Sequence, residues 1–347
     1  MPSPDSSTHT STTPLRAGKL PGPLLHRLIE AYATVPDDDV IVPTGYGRDA
    51  AAIQVGDRQI VVKSDPITFA TDGAARYLVA VNANDIACLG GIPRWLTVVA
   101  LLPEGSTTEG SVETLFAELQ SACNAAGVAL IGGHTEVTLG LDRPLLVGTM
   151  IGVAGPHGLL EPGNLREGDD LYLANWAGIE GTALLAREHA DRLRTALGDD
   201  VVRTAAKLLR SPGIAVAKDA AVLIASGAVR GLHDPTEGGV ATAIHELAEA
   251  SGLGVEVQRD AIPLLPQTRI LCDHYGIDPL GLLSSGALLV AADPVGRDTL
   301  RAAAEDGGVP LAWIGTLTAP DQGLFMVDAA GRHPIPRYDS DEITRVL

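Results

Sequence analysis

The sequence is poor in aromatic residues, in cysteine and in positive charge, and each shortage excludes a class of protein. Aromatic residues make up 3% of the 347 residues and hydrophobic residues 46%, so Ala, Val, Leu and Ile have to form the interior. Three cysteines without Cys-x-x-Cys spacing give neither a disulfide framework nor a zinc signature. Lysine and arginine number 25 against 43 acids, and the net charge of -18 disfavours nucleic acid and anionic membranes as partners.

The start of the sequence lacks a signal peptide, and the sequence has no apolar run of membrane-spanning length. We therefore expect a cytoplasmic protein that neither crosses nor binds a membrane. The polar first residues favour a disordered leader at residues 1–16.

Hydrophobic periodicity predicts a chain of two domains with mixed secondary structure, of the α+β class. Helices are predicted at residues 20–33, 74–89, 112–126, 181–190 and 201–225 and after Gly239, and strands at residues 94–102, 144–155, 171–175, 285–293 and 311–318, with shorter strands between 35 and 65. A stretch rich in glycine and proline at residues 155–168 indicates the domain boundary. We expect an N-terminal domain at 17–156 and a C-terminal α/β domain at 165–340.

The stretch GLHDPTEGGVATAIHELAEASG at residues 231–252 combines an acid, a glycine pair and an amphipathic helix. A helix N-terminus offers free N–H groups, and Gly238 and Gly239 carry no side chain that would keep an anion away. This pattern predicts a phosphate site beside Asp234. The alternative is an ordinary loop in which Asp234 or Thr236 caps the helix.

Four acids interrupt or end apolar segments: Asp49, Asp65, Asp85 and Asp234. An unpaired buried carboxylate costs several kcal/mol, so such groups find a partner, change their pKa or bind a cation. Asp85, with Asn84 beside it, lies in a predicted apolar helix, where oxygen ligands for Mg²⁺ and structural caps are equally good interpretations.

A second glycine pair occurs in LIGGHTEVT, where Gly132 and Gly133 precede His134, Thr135 and Glu136. A hydrogen-bonding turn is the alternative to a ligand-binding role for this segment. Lys63 and Arg48 each lie near one of the four acids along the chain. Either could meet a phosphate or pair with its acidic neighbour.

The motifs GRDAAAI, KSDPITFAT, NANDIACLGG, GGHTEVT and DPTEGGVATAIHELAEASG occur in the order expected of one superfamily. The chain resembles the PurM-like superfamily of aminoimidazole-ribonucleotide synthetase, selenophosphate synthetase and thiamine-monophosphate kinase, and most of all its HypE-like members. The resemblance covers nearly the whole chain from about residue 15. It implies an N-terminal domain whose strands form a barrel across a homodimer, a C-terminal α/β domain, and use of ATP with Mg²⁺.

The resemblance also implies roles for the singled-out residues. Metal-binding roles fall on Asp49, Asp65 and Asp85; cofactor-binding roles on Lys63, Arg48, Asn84, Gly132, Gly133, Thr135, Gly238 and Gly239; and catalytic roles on Asp234, Glu136, Glu237 and His134. The implied chemistry is phosphorylation of an amide or carbonyl oxygen on a small molecule or partner protein, followed by loss of phosphate in a dehydration or cyclisation.

This sequence departs from the HypE pattern at three places. HypE chains end in a cysteine that carries the carboxamide, whereas this sequence ends in DEITRVL with no cysteine after Cys272. Glu136 stands where HypE has lysine, and Glu237 stands where it has arginine. These changes predict a different acceptor. They leave open a small-molecule kinase resembling thiamine-monophosphate kinase, a non-catalytic nucleotide-binding maturation partner, and glutamates that merely face solvent.

Overall fold

Alternating short helices and strands build the chain. The computed structural model describes residue 20 and residues 22–32, 37–45, 48–67, 73–338 and 340–346, so the leader predicted at residues 1–16 lies outside the described residues. The helices are α1 (Gly22–Tyr32), α2 (Ala74–Cys88), α3 (Glu109–Ala126), α4 (Ile179–Glu188), α5 (Ala190–Leu197), α6 (Asp199–Ala206), α7 (Ala217–Ile224), α8 (Gly239–Ser251), α9 (Pro266–Tyr275) and α10 (Arg297–Gly307). The strands are β1 (Val40–Val42), β2 (Ala51–Val55), β3 (Arg58–Ile67), β4 (Gly91–Pro103), β5 (Ala129–Thr138), β6 (Leu145–Ala154), β7 (Asp170–Ala174), β8 (Val229–His233), β9 (Gly254–Gln258), β10 (Leu288–Ala292), β11 (Leu311–Thr318), β12 (Leu324–Asp328) and β13 (Gly331–Pro334).

The strands form two mixed sheets. The first has the order β1-β2-β3-β6-β4-β5, in which only the β4–β5 pair is parallel among the described strands. The second has the order β13-β12-β9-β11-β7-β10-β8, with one parallel pair, β9–β12, among those described. This mixture of helices with mixed sheets confirms the predicted α+β class. The glycine-rich segment at residues 155–168 lies between the last strand of the first sheet and the first strand of the second.

Helix α2 lies between the first sheet and the second half of the chain. It packs against β3, β4 and β6 on one side and against α7 and β8 on the other. Thirteen of its 15 residues are buried. Because such a helix has no solvent-facing side, its polar residues have to find partners inside the protein. Among the described residues, no helix combines the length and apolar character needed to cross a membrane.

Two secondary-structure predictions are wrong in detail. The single helix predicted at residues 201–225 is interrupted, because Pro212 lacks an N–H and Gly213 takes a φ of +94° between α6 and α7. The turn considered for Gly132 and Gly133 is instead part of β5, which bulges against β4 at this point. Gly133 has a φ of +143°, and a Cβ there would lie 1.8 Å from the Val98 carbonyl oxygen. The glycine therefore permits a close approach of two strands.

Candidate active site

Lys63 and two of the predicted acids meet where β3 passes over α2. Lys63 Nζ lies 2.9 Å from Asp85 Oδ2 and 3.4 Å from Asp65 Oδ2. The Asp65 backbone N–H donates to Asn82 Oδ1 at 3.1 Å, which ties the end of β3 to α2. The alternation of β3 places Lys63 and Asp65 on one face of the sheet, toward the helix that carries Asp85. Of the two alternatives for Lys63, the structure shows the ion pair with its chain neighbour Asp65, and Lys63 also pairs with the buried Asp85.

The second half of the chain contributes Asp234, which directly follows β8. Its Oδ1 accepts a hydrogen bond from the Cys88 thiol at 3.6 Å, and Cys88 lies one helical turn beyond Asp85 on α2. Ligand atoms of Asp49, Cys88 and Asp234 all lie within 4.8 Å of one another. Three acids that are far apart in sequence, Asp49, Asp85 and Asp234, thus surround one small volume between the two halves.

Burial and mutual repulsion dominate the electrostatics of these acids. Burial and the charge of Asp234 raise the pKa of Asp85 well above its ordinary value, and Lys63 opposes this rise. Burial and the charge of Asp49 raise the pKa of Asp234 to about 6, against the opposing effects of His233 and a hydrogen bond with Asp85. Although burial lowers the pKa of Lys63, Asp85 and Asp65 outweigh that effect and raise it. Burial and mutual repulsion therefore favour the neutral forms of Asp85 and Asp234, and a bound cation would favour their ionised forms.

His233 joins the cluster to α8. Its buried ring places Nδ1 2.8 Å from Asp49 Oδ2 and Nε2 3.0 Å from Glu246 Oε2. Burial lowers the pKa of His233, but the charges and hydrogen bonds of Asp49 and Glu246 outweigh it and raise the pKa well above the ordinary value. The two carboxylates therefore favour the protonated form of this buried ring.

The anion site predicted at the N-terminus of α8 is filled by the chain itself. The Gly238 N–H donates to Asp341 Oδ2 at 2.7 Å, and the Ile343 N–H donates to Asp341 Oδ1 at 2.9 Å. Gly239 has a φ of +65°, and a Cβ there would lie 2.3 Å from the Leu280 carbonyl oxygen. The Gly238 N–H thus meets a carboxylate oxygen of Asp341, whereas the Gly239 N–H donates to the Thr236 carbonyl oxygen at 3.1 Å. A phosphate would have to displace Asp341 to bind here.

Asp341 belongs to a second group of acids at this helix end. Burial raises the pKa of Glu180 to about 7, opposed by a hydrogen bond from Ser285 and increased by the charges of Glu237 and Asp341. Burial also raises the pKa of Asp341 to about 6, despite its backbone hydrogen bonds. Glu237 itself is exposed. Burial therefore favours the neutral form of Glu180, and Glu237 and Asp341 contribute the negative charge at the N-terminal end of α8.

The predicted residues on β5 lie apart from Lys63 within one chain. Strands β4 and β6 lie between β5 and β3, and the register aligns Gly132 with Ser64 across the sheet. Three strand spacings therefore separate Gly132 from Ser64, a distance of about 14 Å. His134 Nε2 lies 3.0 Å from Glu136 Oε2, and both side chains are exposed, as is Thr135. The structure therefore gathers Gly132, Gly133, His134, Thr135 and Glu136 on an open sheet edge and not around the buried acids.

Two further predicted residues have backbone partners. Asn84 donates to the Ile214 carbonyl oxygen at 2.9 Å and accepts from the Val216 N–H at 2.8 Å. These bonds use the amide N–H and the carbonyl oxygen of a fully buried side chain to join α2 to the segment before α7. Asn84 therefore forms a structural link, and its assignment to cofactor binding stays a prediction. Arg48 is exposed and donates to the Pro43 carbonyl oxygen at 3.0 Å within its own loop.

Sequence reasoning missed Cys88, His233 and Glu246. Cys88 follows Asp85 by three residues, so helical spacing alone places both on one face of α2. His233 directly precedes Asp234, and Glu246 lies on the amphipathic helix of the same motif. The helical spacing could therefore have identified Cys88 from the sequence. The contact between His233 and Asp49 joins residues 184 positions apart, and no local sequence pattern predicts it.

Comparison with known proteins bears on the family and the fold of the chain. The AIR synthase related protein family matches the chain with its N-terminal domain over residues 47–154 and with its C-terminal domain over residues 166–327. The carbamoyl dehydratase HypE of Rhizobium leguminosarum bv. viciae is 30% identical over 288 residues, which cover 79% of this chain and 78% of that protein. The crystal structure of a HypE–HypF complex matches with a TM-score of 0.72 at 21% identity, covering 90% of this chain and 99% of that chain. HypE in complex with ATP matches with a TM-score of 0.66 at 22% identity, covering 94% of this chain and 97% of that chain. These matches confirm the predicted two-domain fold.

Proposed function

The chain belongs to the AIR synthase related protein family and to its HypE-like branch, and from this premise we propose an ATP- and Mg²⁺-dependent enzyme that phosphorylates an amide or related carbonyl oxygen. The γ-phosphoryl group leaves the β-phosphate oxygen and bonds to the acceptor oxygen. The acceptor C–O bond then breaks, phosphate leaves, and a primary amide that loses both N–H protons becomes a nitrile. The sum is amide plus ATP giving nitrile, ADP, phosphate and a proton. The relatives named carbamoyl dehydratase and the HypE structure with ATP support this proposal.

The observation that carries the proposal is the excess of carboxylates around Lys63. Asp49, Asp65, Asp85 and Asp234 face two cationic side chains, Lys63 and His233. Two of these acids, Asp85 and Asp234, are buried, and burying carboxylates so close together is costly unless a cation compensates them. A cluster whose negative charge exceeds its positive charge until a metal ion binds is typical of a nucleotide site.

The donor set fits Mg²⁺. Carboxylate oxygens are the ligands that this hard cation prefers, and Asp49 and Asp234 are close enough to share one ion. Mg²⁺ bound with ATP would neutralise phosphate charge during the transfer. In this proposal Asp49, Asp234 and Asp85 hold the metal, Asp65 orients Lys63, and Lys63 contacts a phosphate oxygen. The Cys88 thiol, whose pKa burial raises, stays protonated and donates to Asp234.

The acidic mouth of α8 suits an acceptor that brings no carboxylate of its own. The charges of Glu237 and Asp341 raise the pKa of Glu180, and the same charges disfavour an anionic acceptor there. An acceptor with a cationic or hydrogen-bond-donating group fits better. Glu237 is exposed at this mouth and is the candidate general base for the acceptor.

The open edge of β5 supports assembly into a homodimer. Ile131 and Val137 are 55% and 56% exposed on a strand whose residues 129–137 are all exposed. A long apolar edge strand invites pairing with another chain. Pairing here would place His134, Thr135 and Glu136 at the contact between two copies, where they could complete a neighbouring site.

The experiment measures Mg²⁺-ATP binding by calorimetry in the parent and in Asp65→Asn, Asp85→Asn and Asp57→Asn. Loss of a ligand or of a buried charge partner costs several kcal/mol, so the first two variants should bind at least about tenfold more weakly. Asp57 lies in the exposed turn between β2 and β3 and serves as the control. Unchanged affinity in both Asp65→Asn and Asp85→Asn would contradict the assignment.

Turnover identifies the acceptor. ATP and Mg²⁺ are supplied with metabolite pools, while phosphate release and the masses of the compounds are followed. Glu136→Gln and Glu237→Gln should keep ATP binding and lose acceptor-dependent turnover, and equal activity in both variants and the parent would remove these residues from the site. A product that keeps its phosphate would identify a kinase, and no turnover with any acceptor would favour a nucleotide-binding partner.

A further inference from the structure

His233 occupies a junction between the two halves of the chain. It ends β8 of the second sheet, and its ring reaches Asp49, which directly precedes the segment that enters β2 of the first sheet. Its other nitrogen faces Glu246 on α8 at 3.0 Å. Both ring nitrogens thus lie within hydrogen-bond distance of a carboxylate oxygen, so the ring bridges Asp49 and Glu246.

The position of Asp49 depends on this contact. Asp49 lies outside the helices and strands, so no strand or helix hydrogen bonds hold its backbone in place. Its Oδ2 accepts from His233 at 2.8 Å. Because a carboxylate has two oxygens, this bond is compatible with a metal contact from the same group.

The same strand end places two candidate metal ligands. Asp234 directly follows the last residue of β8, His233, and the side chain of His233 contacts Asp49. Glu246 in turn holds the far side of the ring, and it is anchored on a helix of 13 residues. A single histidine therefore contacts one candidate ligand, Asp49, and directly precedes the other, Asp234, in the chain.

We propose that His233 is a positioning residue that orients Asp49 toward Asp234, with Glu246 holding the ring, and so sets the affinity of the site for the divalent cation. This inference rests on the proposed function. It assigns no catalytic step to His233, which acts through Asp49.

The test compares His233→Gln, His233→Arg and His245→Gln with the parent. Calorimetry with Mn²⁺ alone gives the metal affinity, a Mg²⁺ titration at fixed ATP gives the metal requirement of nucleotide binding, and thermal melting gives stability. His233→Gln keeps one donor group, and it should weaken metal affinity at least about tenfold, the size typical of losing a partner of a metal ligand. His233→Arg offers donors to both carboxylates and should restore affinity to within about threefold of the parent.

His245→Gln is the matched control. His245 is a half-buried histidine on α8 that bonds the Ile335 carbonyl oxygen, so its loss perturbs the same helix without touching Asp49. It should leave the metal affinity at the parent value even where the melting temperature falls. A parent-like metal affinity in His233→Gln, or an equal loss in His233→Gln and His245→Gln, overturns the inference while the proposed function stands. A parent that binds neither Mn²⁺ nor Mg²⁺-ATP overturns both.

Discussion

Glu180 is a buried acid whose ionisation should be visible in the stability of the protein. It lies in the first turn of α4, is 8% exposed, and has a pKa that burial raises from 4.5 to about 7. The N-terminal end of a helix favours a carboxylate, and the Ser285 hydrogen bond does so as well, yet both are outweighed by desolvation and by Glu237 and Asp341. The protein therefore folds more favourably when Glu180 is the neutral acid.

The size of the effect follows from linkage. A pKa difference of one unit corresponds to about 1.4 kcal/mol, so a rise from 4.5 to about 7 corresponds to about 3 kcal/mol. Below the unfolded-state pKa both states hold the proton and the group contributes no difference. As the pH rises from 4.5 toward 7, the folded state keeps a proton that the unfolded state loses, so stability falls across this window. Above about 7 the full penalty of the buried charge is present.

Glu180→Gln removes this penalty while keeping an oxygen that can accept from Ser285. Near pH 4 we expect the free energies of unfolding of the variant and the parent to differ by an amount that does not change with pH. By pH 8.5 the free energy of unfolding of the variant should have risen by about 3 kcal/mol relative to that of the parent. Urea unfolding followed by circular dichroism at several pH values measures this difference. Glu188→Gln, an exposed position at the end of the same helix, is the control. A Glu180→Gln difference that is flat with pH would refute the reasoning that burial keeps Glu180 neutral.

Three further predictions test the fold and its assembly. Gly133→Ala should lower the free energy of unfolding by about 3 kcal/mol or more, measured by urea unfolding, because its Cβ would lie 1.8 Å from the Val98 carbonyl oxygen; a stable variant would contradict the close β4–β5 approach. Asn84→Ala leaves two buried backbone groups unsatisfied and should cost about 2–4 kcal/mol in the same assay, and a neutral effect would show that the link is dispensable. Light scattering should give about twice the 35.9 kDa chain mass for the parent and a smaller mass for Ile131→Lys, whereas a monomeric parent at micromolar concentration would contradict pairing through β5.

The predictable part of the fold follows from local patterns. Helix α2 ends one residue before its predicted end, and β11 has its predicted bounds, because glycine or proline residues near both ends limit each apolar run without a distant partner. The helix predicted at residues 201–225 failed because its amphipathic pattern continued across Pro212 and Gly213, where backbone constraints decided the outcome. The glycine pair of β5 resembled a turn, since a sequence gives the same signal for a turn and for a bulge between close strands.

The site divides in a similar way. Asp85 and Asp234 could be singled out because a carboxylate among apolar residues is costly and therefore has a reason to be there. The sequence cannot show which partner meets that cost, since the partner comes from a different part of the chain. The glycine pair at α8 illustrates this limit: its local geometry predicts an anion at Gly238, and the structure supplies one from Asp341, 103 residues away. A helix N-terminus specifies the charge of its ligand but not its source, so phosphate and carboxylate were equally compatible with the motif. Because Asp341 occupies the N-terminus of α8, the proposed function places the phosphates of ATP beside Lys63.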